Sequence, residues 1–165
     1  MRDPPGTAWP DGEGGVEANP PGAIVEDVAA LPWPAYDLVE MEAYFSQLHT
    51  HLSPQQAHAR YAPVFTSRGC PYRCIYCHSI FGKKWRARSP ESVVGEMKTL
   101  VERFGIKEFE IIDDAFNLDR RRVLEICDLI EKEGLEVSLA FPNGLRTDVL
   151  DDEVIHALRR AGVAR

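Results

Sequence analysis

From Ala62 onward the chain repeats one pattern three times: a short β-prone run, a loop, and an amphipathic helical segment. The predicted strands cover residues 64–66, 109–112 and 137–141. Strands that alternate with helices in this way predict an α/β fold with a parallel sheet and right-handed crossovers. Three strands are too few to close a barrel, so we expect a partial (β/α) barrel of about three βα units.

The three predicted helices carry clear start signals. Ser89 and Pro90 begin the first of them as a capping residue followed by proline, and Gly105 ends it. The second covers residues 119–133, and the third begins near residue 151. After the third, Val163 resembles the start of a fourth strand. We therefore expect the chain to be a piece of a longer domain, truncated at its C-terminus.

Between the first strand and the first helix lies a loop with Cys70, Cys74 and Cys77 at C-x-x-x-C-x-x-C spacing. An irregular loop can fold three thiolates inward, and soft thiolates hold iron–sulfur clusters or, less often, zinc. Structural zinc sites use four ligands in paired knuckles, and a second knuckle is missing here. Three ligands on a four-iron cluster would leave one iron open to a substrate or cofactor. Cys127 lies on an apolar helix stripe, where we expect a buried, non-ligating thiol.

Polar side chains follow the second and third predicted strands. Asp113 and Asp114 end the second strand, and Asn143 follows the third. The carboxyl ends of the strands in a βα barrel form one mouth, where such folds keep their chemistry. We therefore predict that these three residues face the cysteine loop and contact a cofactor bound there.

Charge is unevenly distributed along the chain. The formal net charge is −7, yet no acidic residue occurs between Glu42 and Glu91, an interval that contains the cysteine loop and several basic residues. A positive field favours thiolates and anionic ligands. No apolar run is long enough to cross a membrane, and the clustered cysteines do not resemble a disulfide framework. We expect a cytoplasmic protein.

The composition divides the chain into three parts. Residues 1–22 contain ten proline or glycine residues, which predicts a disordered or linker arm. Residues 23–60 are interpreted as an interdomain strap, because Pro32 and Pro34 bracket Trp33 in an extended segment. Residues 61–165 form the predicted N-terminal half of a core domain.

The cysteine loop, with an aromatic residue directly before its last cysteine, resembles that of the radical S-adenosylmethionine (SAM) enzymes. The resemblance implies that Cys70, Cys74 and Cys77 hold a 4Fe-4S cluster and that SAM chelates the fourth iron. Reductive cleavage of SAM would give a 5′-deoxyadenosyl radical that acts on a small-molecule substrate. A flavodoxin or ferredoxin would supply the electron. Tyr76 would lie near the adenine.

By the same resemblance, Asp113-Asp114-Ala115 occupies the place of the Gly-Gly-Glu segment that contacts the methionine amino group. Asp113, Asp114 and Phe116, the strap 31–37 and residues 86–91 are similar to the subgroup with an N-terminal cobalamin-binding domain. This similarity implies methyl transfer or ring rearrangement that depends on cobalamin. The cobalamin would be bound by another domain, since no histidine here stands in an Asp-x-His-x-x-Gly setting. We expect the isolated fragment to be inactive.

Two alternatives stay open at this point. A tRNA methylthiotransferase shares the cluster loop, although the acidic chain carries no nucleic-acid module and nucleic acid is not the expected partner. A non-enzymatic zinc or iron–sulfur binding module would use the same three cysteines without catalysis.

Overall fold

The computed structural model describes residues 4–46, 58 and 60–163. The strands, in chain order, are β1 (Ala8–Pro10), β2 (Val16–Ala18), β3 (Tyr61–Val64), β4 (Ser67–Arg68), β5 (Arg86–Ala87), β6 (Glu108–Ile111) and β7 (Ser138–Ala140). The α-helices are α1 (Met41–Ser46), α2 (Pro90–Phe104), α3 (Arg120–Lys132) and α4 (Asp152–Arg160). Among the described residues, no helix combines the length and the apolarity that a membrane span requires.

A parallel sheet in the order β3-β6-β7 is the centre of the fold. Val64 pairs with Ile111, and Glu110 pairs with Ala140. Helices α2, α3 and α4 follow the three strands in turn, and α3 lies against both α2 and α4. The predicted α/β fold with a parallel sheet is confirmed, and within the described residues the sheet does not close into a barrel.

The hydrophobic core lies between this sheet and the helices. Its centre is the Phe109 side chain on the middle strand, which is fully buried. The helices contribute apolar side chains at helical spacing: Val93, Met97, Leu100, Val123, Ile126, Ile130, Val154 and Leu158. Cys127 is buried on the same stripe of α3, as predicted, and burial raises the pKa of its thiol to about 12.

The helices begin at the predicted caps. Ser89 Oγ accepts from the Ser92 N–H, Asp119 from the Arg122 N–H, and Asp151 from the Val154 N–H. Each of these side chains satisfies a backbone donor that the first helical turn leaves free. The caps therefore determine where each helix starts after its strand.

The N-terminal arm contains a short antiparallel hairpin, in which Trp9 of β1 pairs with Glu17 of β2. Asp11 closes its turn by accepting 2.8 Å hydrogen bonds from the N–H groups of Glu13 and Gly15. The arm was predicted to be disordered or a linker, and this turn chemistry gives it local structure in place of disorder. Its role as a linker stays a prediction.

The strap packs along α2. The Tyr36 hydroxyl donates to Glu96 Oε1 at 2.7 Å, and the buried Glu96 carboxylate also pairs with Arg88. Burial raises the pKa of the Tyr36 hydroxyl, and the hydrogen bond to Glu96 raises it further. Trp33 lies so close to Gly95 that a Cβ there would stand 3.2 Å from the indole ring. Residues 47–57 and 59 of the predicted strap lie outside the described residues.

Val163 forms a parallel bridge with Leu139 of β7, at the place expected for a fourth strand. Gly162 precedes it with φ 94°, and a Cβ at this position would lie 2.1 Å from the carbonyl oxygen of Val137. Only glycine allows this close approach of the two backbones. The chain thus returns from α4 to the open edge of β7.

A buried carboxylate joins the ends of β3 and β6. Asp113, only 2% exposed, accepts hydrogen bonds from Thr66 N at 2.6 Å, Thr66 Oγ1 at 2.5 Å and Ser67 Oγ at 2.6 Å. Burial raises the pKa of Asp113, and the hydrogen bonds from Ser67 and Thr66 oppose that shift. The first strand, predicted at residues 64–66, is Tyr61–Val64 in the structure, and Thr66 beyond its end donates to Asp113. Arg122 donates to the Thr66 carbonyl at 2.8 Å from the other side.

We expect Asp113→Ala to lower the free energy of unfolding by about 3 kcal/mol, because two hydroxyls and one N–H lose a charged acceptor inside the protein. Asp114→Ala is the matched control, since the adjacent carboxylate accepts one N–H at 3.2 Å and is more exposed. Urea unfolding followed by circular dichroism measures both variants. Equal destabilisation of the two would contradict the role assigned to Asp113.

Tyr36→Phe removes one donor from the buried Glu96 carboxylate and leaves Arg88 as its partner. We expect a loss of about 1.5 kcal/mol in the free energy of unfolding. Tyr44→Phe removes the same hydroxyl from a residue that is 66% exposed and should leave stability unchanged. Thermal unfolding of the two variants side by side checks this prediction. An unchanged stability of Tyr36→Phe would show that the Tyr36 hydroxyl does not anchor the strap.

Candidate metal centre

A short antiparallel pair of strands, each two residues long, closes the base of the cysteine loop. β4 pairs antiparallel with β5, so residues 69–85 leave and return at the same place. Gly69 turns the chain with φ 84°, and a Cβ there would lie 2.4 Å from the Lys84 carbonyl oxygen. The Arg86 guanidinium is buried beneath the loop and donates to the carbonyls of Val25, Phe81 and Lys84. The loop is thereby fixed at both ends to the sheet and to the strap.

All three loop thiols line one cavity of about 250 Å³. The other lining residues are polar or aromatic: Tyr72, Tyr76, His78, Lys83, Asp114 and Asn143. Cys74 and Cys77 are joined by a backbone hydrogen bond of 3.2 Å from the Cys77 N–H to the Cys74 carbonyl. Partial desolvation raises the pKa of the Cys77 thiol, and the sulfurs of Cys74 and Cys70 raise it further. The three cysteines therefore share one cavity.

The donor set fits a group held by three thiolates. In the described part of the chain, no three His, Cys, Asp or Glu side chains stand in a ready metal-binding arrangement, and Cys77 is exposed. All three cysteines nevertheless line the same cavity, so the set of thiols that a three-ligand group needs is present there. His78 lies beside the cysteines, but its Nε2 faces Asp114 Oδ1 at 3.5 Å. Cys127 is buried in the core on α3, apart from the residues that line this cavity.

Asp114 and Asn143 bring the ends of β6 and β7 to the cavity. Asp114 Oδ2 accepts the Gly69 N–H at 3.2 Å, which ties it to the start of the cysteine loop. The Asn143 amide donates to the carbonyls of Ile112 and Asp113 at 3.2 and 3.1 Å. Both residues line the cavity as their strand positions imply, and their contact with a cofactor stays a prediction.

The side chains of Asp113 and Tyr76 differ in burial and in the residues that they contact. The Asp113 carboxylate is held by Thr66 and Ser67 and does not line the cavity, so its side chain is not placed to contact a cofactor. We therefore assign Asp113 a supporting role in place of the predicted binding role. Tyr76 is 85% exposed and lies against Cys74, whose sulfur raises the pKa of the Tyr76 hydroxyl. Its predicted contact with adenine stays a prediction.

Sequence reasoning did not single out several residues at this site. Lys83 Nζ donates to the Tyr72 carbonyl at 2.8 Å and so braces the loop from within. The Arg146 guanidinium lies 3.5 Å from the centre of the Tyr72 ring. The local sequence around Arg146 carries no signal for this contact, because it depends on how the loop after β7 folds back over the cysteine loop.

Known proteins similar to this chain share its cysteine-loop region. Residues 64–165 match the Radical SAM superfamily. An uncharacterized methyltransferase of Pyrococcus horikoshii is 34% identical over 151 residues, which are 90% of this chain and 30% of that protein. Cytidylyl-2-hydroxyethylphosphonate methyltransferase of Streptomyces wedmorensis is 30% identical over 155 residues, covering 93% of this chain and 28% of the relative.

A third relative is the anaerobic magnesium-protoporphyrin IX monomethyl ester cyclase of Rubrivivax gelatinosus. It is 29% identical over 160 residues, which are 96% of this chain and 27% of the cyclase. The chain thus spans less than a third of the length of these relatives. The superfamily match begins at Val64, the last residue of β3, and covers the cysteine loop, the strands β6 and β7 and the helices α2, α3 and α4. The chain belongs to the radical SAM superfamily.

Proposed function

We propose that this chain forms the cluster-binding part of a radical SAM enzyme, with Cys70, Cys74 and Cys77 as ligands of a 4Fe-4S cluster. The observation that carries the proposal is the convergence of three thiols on one cavity at the carboxyl ends of the parallel strands. When bound, the cluster supplies the electron that cleaves SAM to give a 5′-deoxyadenosyl radical. The family membership supports this chemistry.

The remaining cavity residues suit the polar groups of SAM. The Asp114 carboxylate is only partly buried and can accept hydrogen bonds from an ammonium group. Asn143 fixes the backbone at the end of β6, so that Asp114 is held at the rim. Tyr76 offers an exposed aromatic face beside Cys74, on which an adenine ring can stack. Lys83 adds positive charge next to the thiolates.

For the whole protein we propose methyl transfer to a small molecule, because several relatives are named methyltransferases. A cyclisation or ring rearrangement is the second candidate, favoured by the cyclase relatives. Cobalamin would be held by a domain outside this chain, and a flavodoxin or ferredoxin in the reducing cytoplasm would deliver the electron. The chain alone would bind the cluster without catalysing the full reaction.

We expect Cys74→Ala to abolish iron–sulfur assembly on anaerobic reconstitution, because two thiolates cannot hold the cluster. Cys127→Ala should retain the wild-type iron and sulfide content, since its thiol lies in the core and stays protonated at neutral pH. Iron and sulfide analysis together with the visible absorption of the bound cluster compares the variants.

The same experiment separates the alternatives for the wild-type chain. Stoichiometric zinc without iron uptake would contradict the enzyme proposal and favour a zinc module. Equal loss of iron in Cys74→Ala and Cys127→Ala would contradict the assignment of the ligands.

Asp114→Asn should bind the cluster but weaken SAM binding by roughly tenfold or more, since a hydrogen bond to a charged group contributes about 1.5–3 kcal/mol. A titration of the reconstituted protein with SAM, followed by electron paramagnetic resonance, measures the affinity. Asp128→Asn neutralises an exposed carboxylate on α3 and is the matched control. An affinity for SAM that is equal in the two variants would remove Asp114 from the proposed site.

A further inference from the structure

The backbone of Arg146 is fixed by a two-way amide clamp. Asn117 Nδ2 donates to the Arg146 carbonyl at 2.8 Å, and the Arg146 N–H donates to Asn117 Oδ1 at 3.0 Å. Asn117 itself is 3% exposed and follows the end of β6. A buried amide that satisfies both backbone groups of one residue holds that residue in a single position. The clamp therefore fixes the backbone position from which the Arg146 side chain extends, independently of the cysteine loop.

From this anchor the guanidinium reaches across to the cysteine loop. Its central carbon lies 3.5 Å from the centre of the Tyr72 ring, and Nη2 pairs with Asp148 at 2.6 Å. A planar cation stacked on an aromatic face is a favourable contact, especially where water is excluded. Among the residues that the structure describes, the buried Nε of Arg146 has no hydrogen-bond partner. The stacking of Arg146 on Tyr72 therefore forms although it leaves this N–H group without a partner among the described residues.

The contact brings a positive charge to a ring that lines the cavity of the thiols. Tyr72 lines the same cavity as the three cysteines, and the Arg146 guanidinium lies over its ring. Asp148 partly neutralises this charge from the loop after β7, and residues 69–85, the cysteine loop itself, contain no carboxylate. A fixed cation beside a thiolate stabilises negative charge there.

We propose that Arg146 is a positioning residue for the cysteine loop, which it holds through Tyr72 while it places a positive charge at the edge of the cavity that the three thiols line. The positioning part follows from the geometry of the protein alone. The electrostatic part rests on the proposed function, because its consequence is a higher reduction potential of a cluster bound by that loop. A reduced cluster carries one more negative charge than the oxidised form and gains more from a nearby cation.

The first experiment is hydrogen exchange on the metal-free chain. In Arg146→Gln, the hydrogen-bonded loop amides of Cys70, Cys77 and Gly82 should exchange roughly threefold to thirtyfold faster, the range expected for loss of a cation–π contact. Arg146→Lys keeps the charge but not the planar stack, so its increase should be smaller. Arg121→Gln is the matched control, because it removes an arginine whose side chain is 88% exposed on α3. Thermal unfolding verifies that each variant is folded.

Unchanged exchange in a folded Arg146→Gln variant would overturn the positioning role. Faster exchange spread evenly over the whole chain would also overturn it, since that pattern reports global destabilisation. Both outcomes are independent of whether the chain binds iron.

The second experiment is a redox titration of the reconstituted chain. Arg146→Gln should lower the midpoint potential by about 59 mV if the loss of charge makes reduction tenfold less favourable. Arg146→Lys and Arg121→Gln should both stay near the wild-type potential. An unchanged potential in Arg146→Gln would overturn the electrostatic role. Failure of the wild-type chain to take up iron would instead contradict the proposed function, and the exchange experiment would still decide the contact with Tyr72.

Discussion

The buried carboxylate of Asp113 is the constraint on which the site depends. It joins the end of β6 to the end of β3 through Thr66 and Ser67. Ser67 is also the first residue of β4, so the same interaction sets the direction in which the cysteine loop leaves the sheet. Arg122 closes the junction from α3 by donating to the Thr66 carbonyl. Charge and hydrogen bonds are thus buried together, the condition under which a buried carboxylate is tolerated.

Asp113 and Asp114 are adjacent in sequence and have different environments. Successive residues leaving a strand point to opposite sides, so one carboxylate enters the core and the other reaches the cavity rim. Asp113 accepts three donors in the interior, whereas Asp114 faces Gly69 and His78 at the cysteine loop. A single Asp-Asp pair therefore serves both the support of the loop and the chemistry proposed beside it.

The cysteine loop is held from several sides although it has almost no regular structure of its own. The β4–β5 pair closes its base, and Arg86 ties it to the strap at Val25. Arg146 contacts it from the loop after β7. The strap is anchored separately to α2 through Tyr36 and Glu96. Residues before the sheet are therefore part of the framework around the site, which suits a chain whose relatives extend well beyond the matched region.

The sequence by itself determined the order of the three parallel strands and of the three helices that follow them, the caps of these helices and the three-cysteine loop. These features depend on short-range chemistry, such as Ser89 before Pro90 or the spacing of Cys70, Cys74 and Cys77. The hairpin at Asp11 escaped prediction because a high content of proline and glycine also describes unstructured arms. Only the tertiary structure decided which carboxylate is buried and that Arg146 stacks on Tyr72. Those contacts join residues far apart in the chain, and their partners are chosen by packing, which no local pattern records.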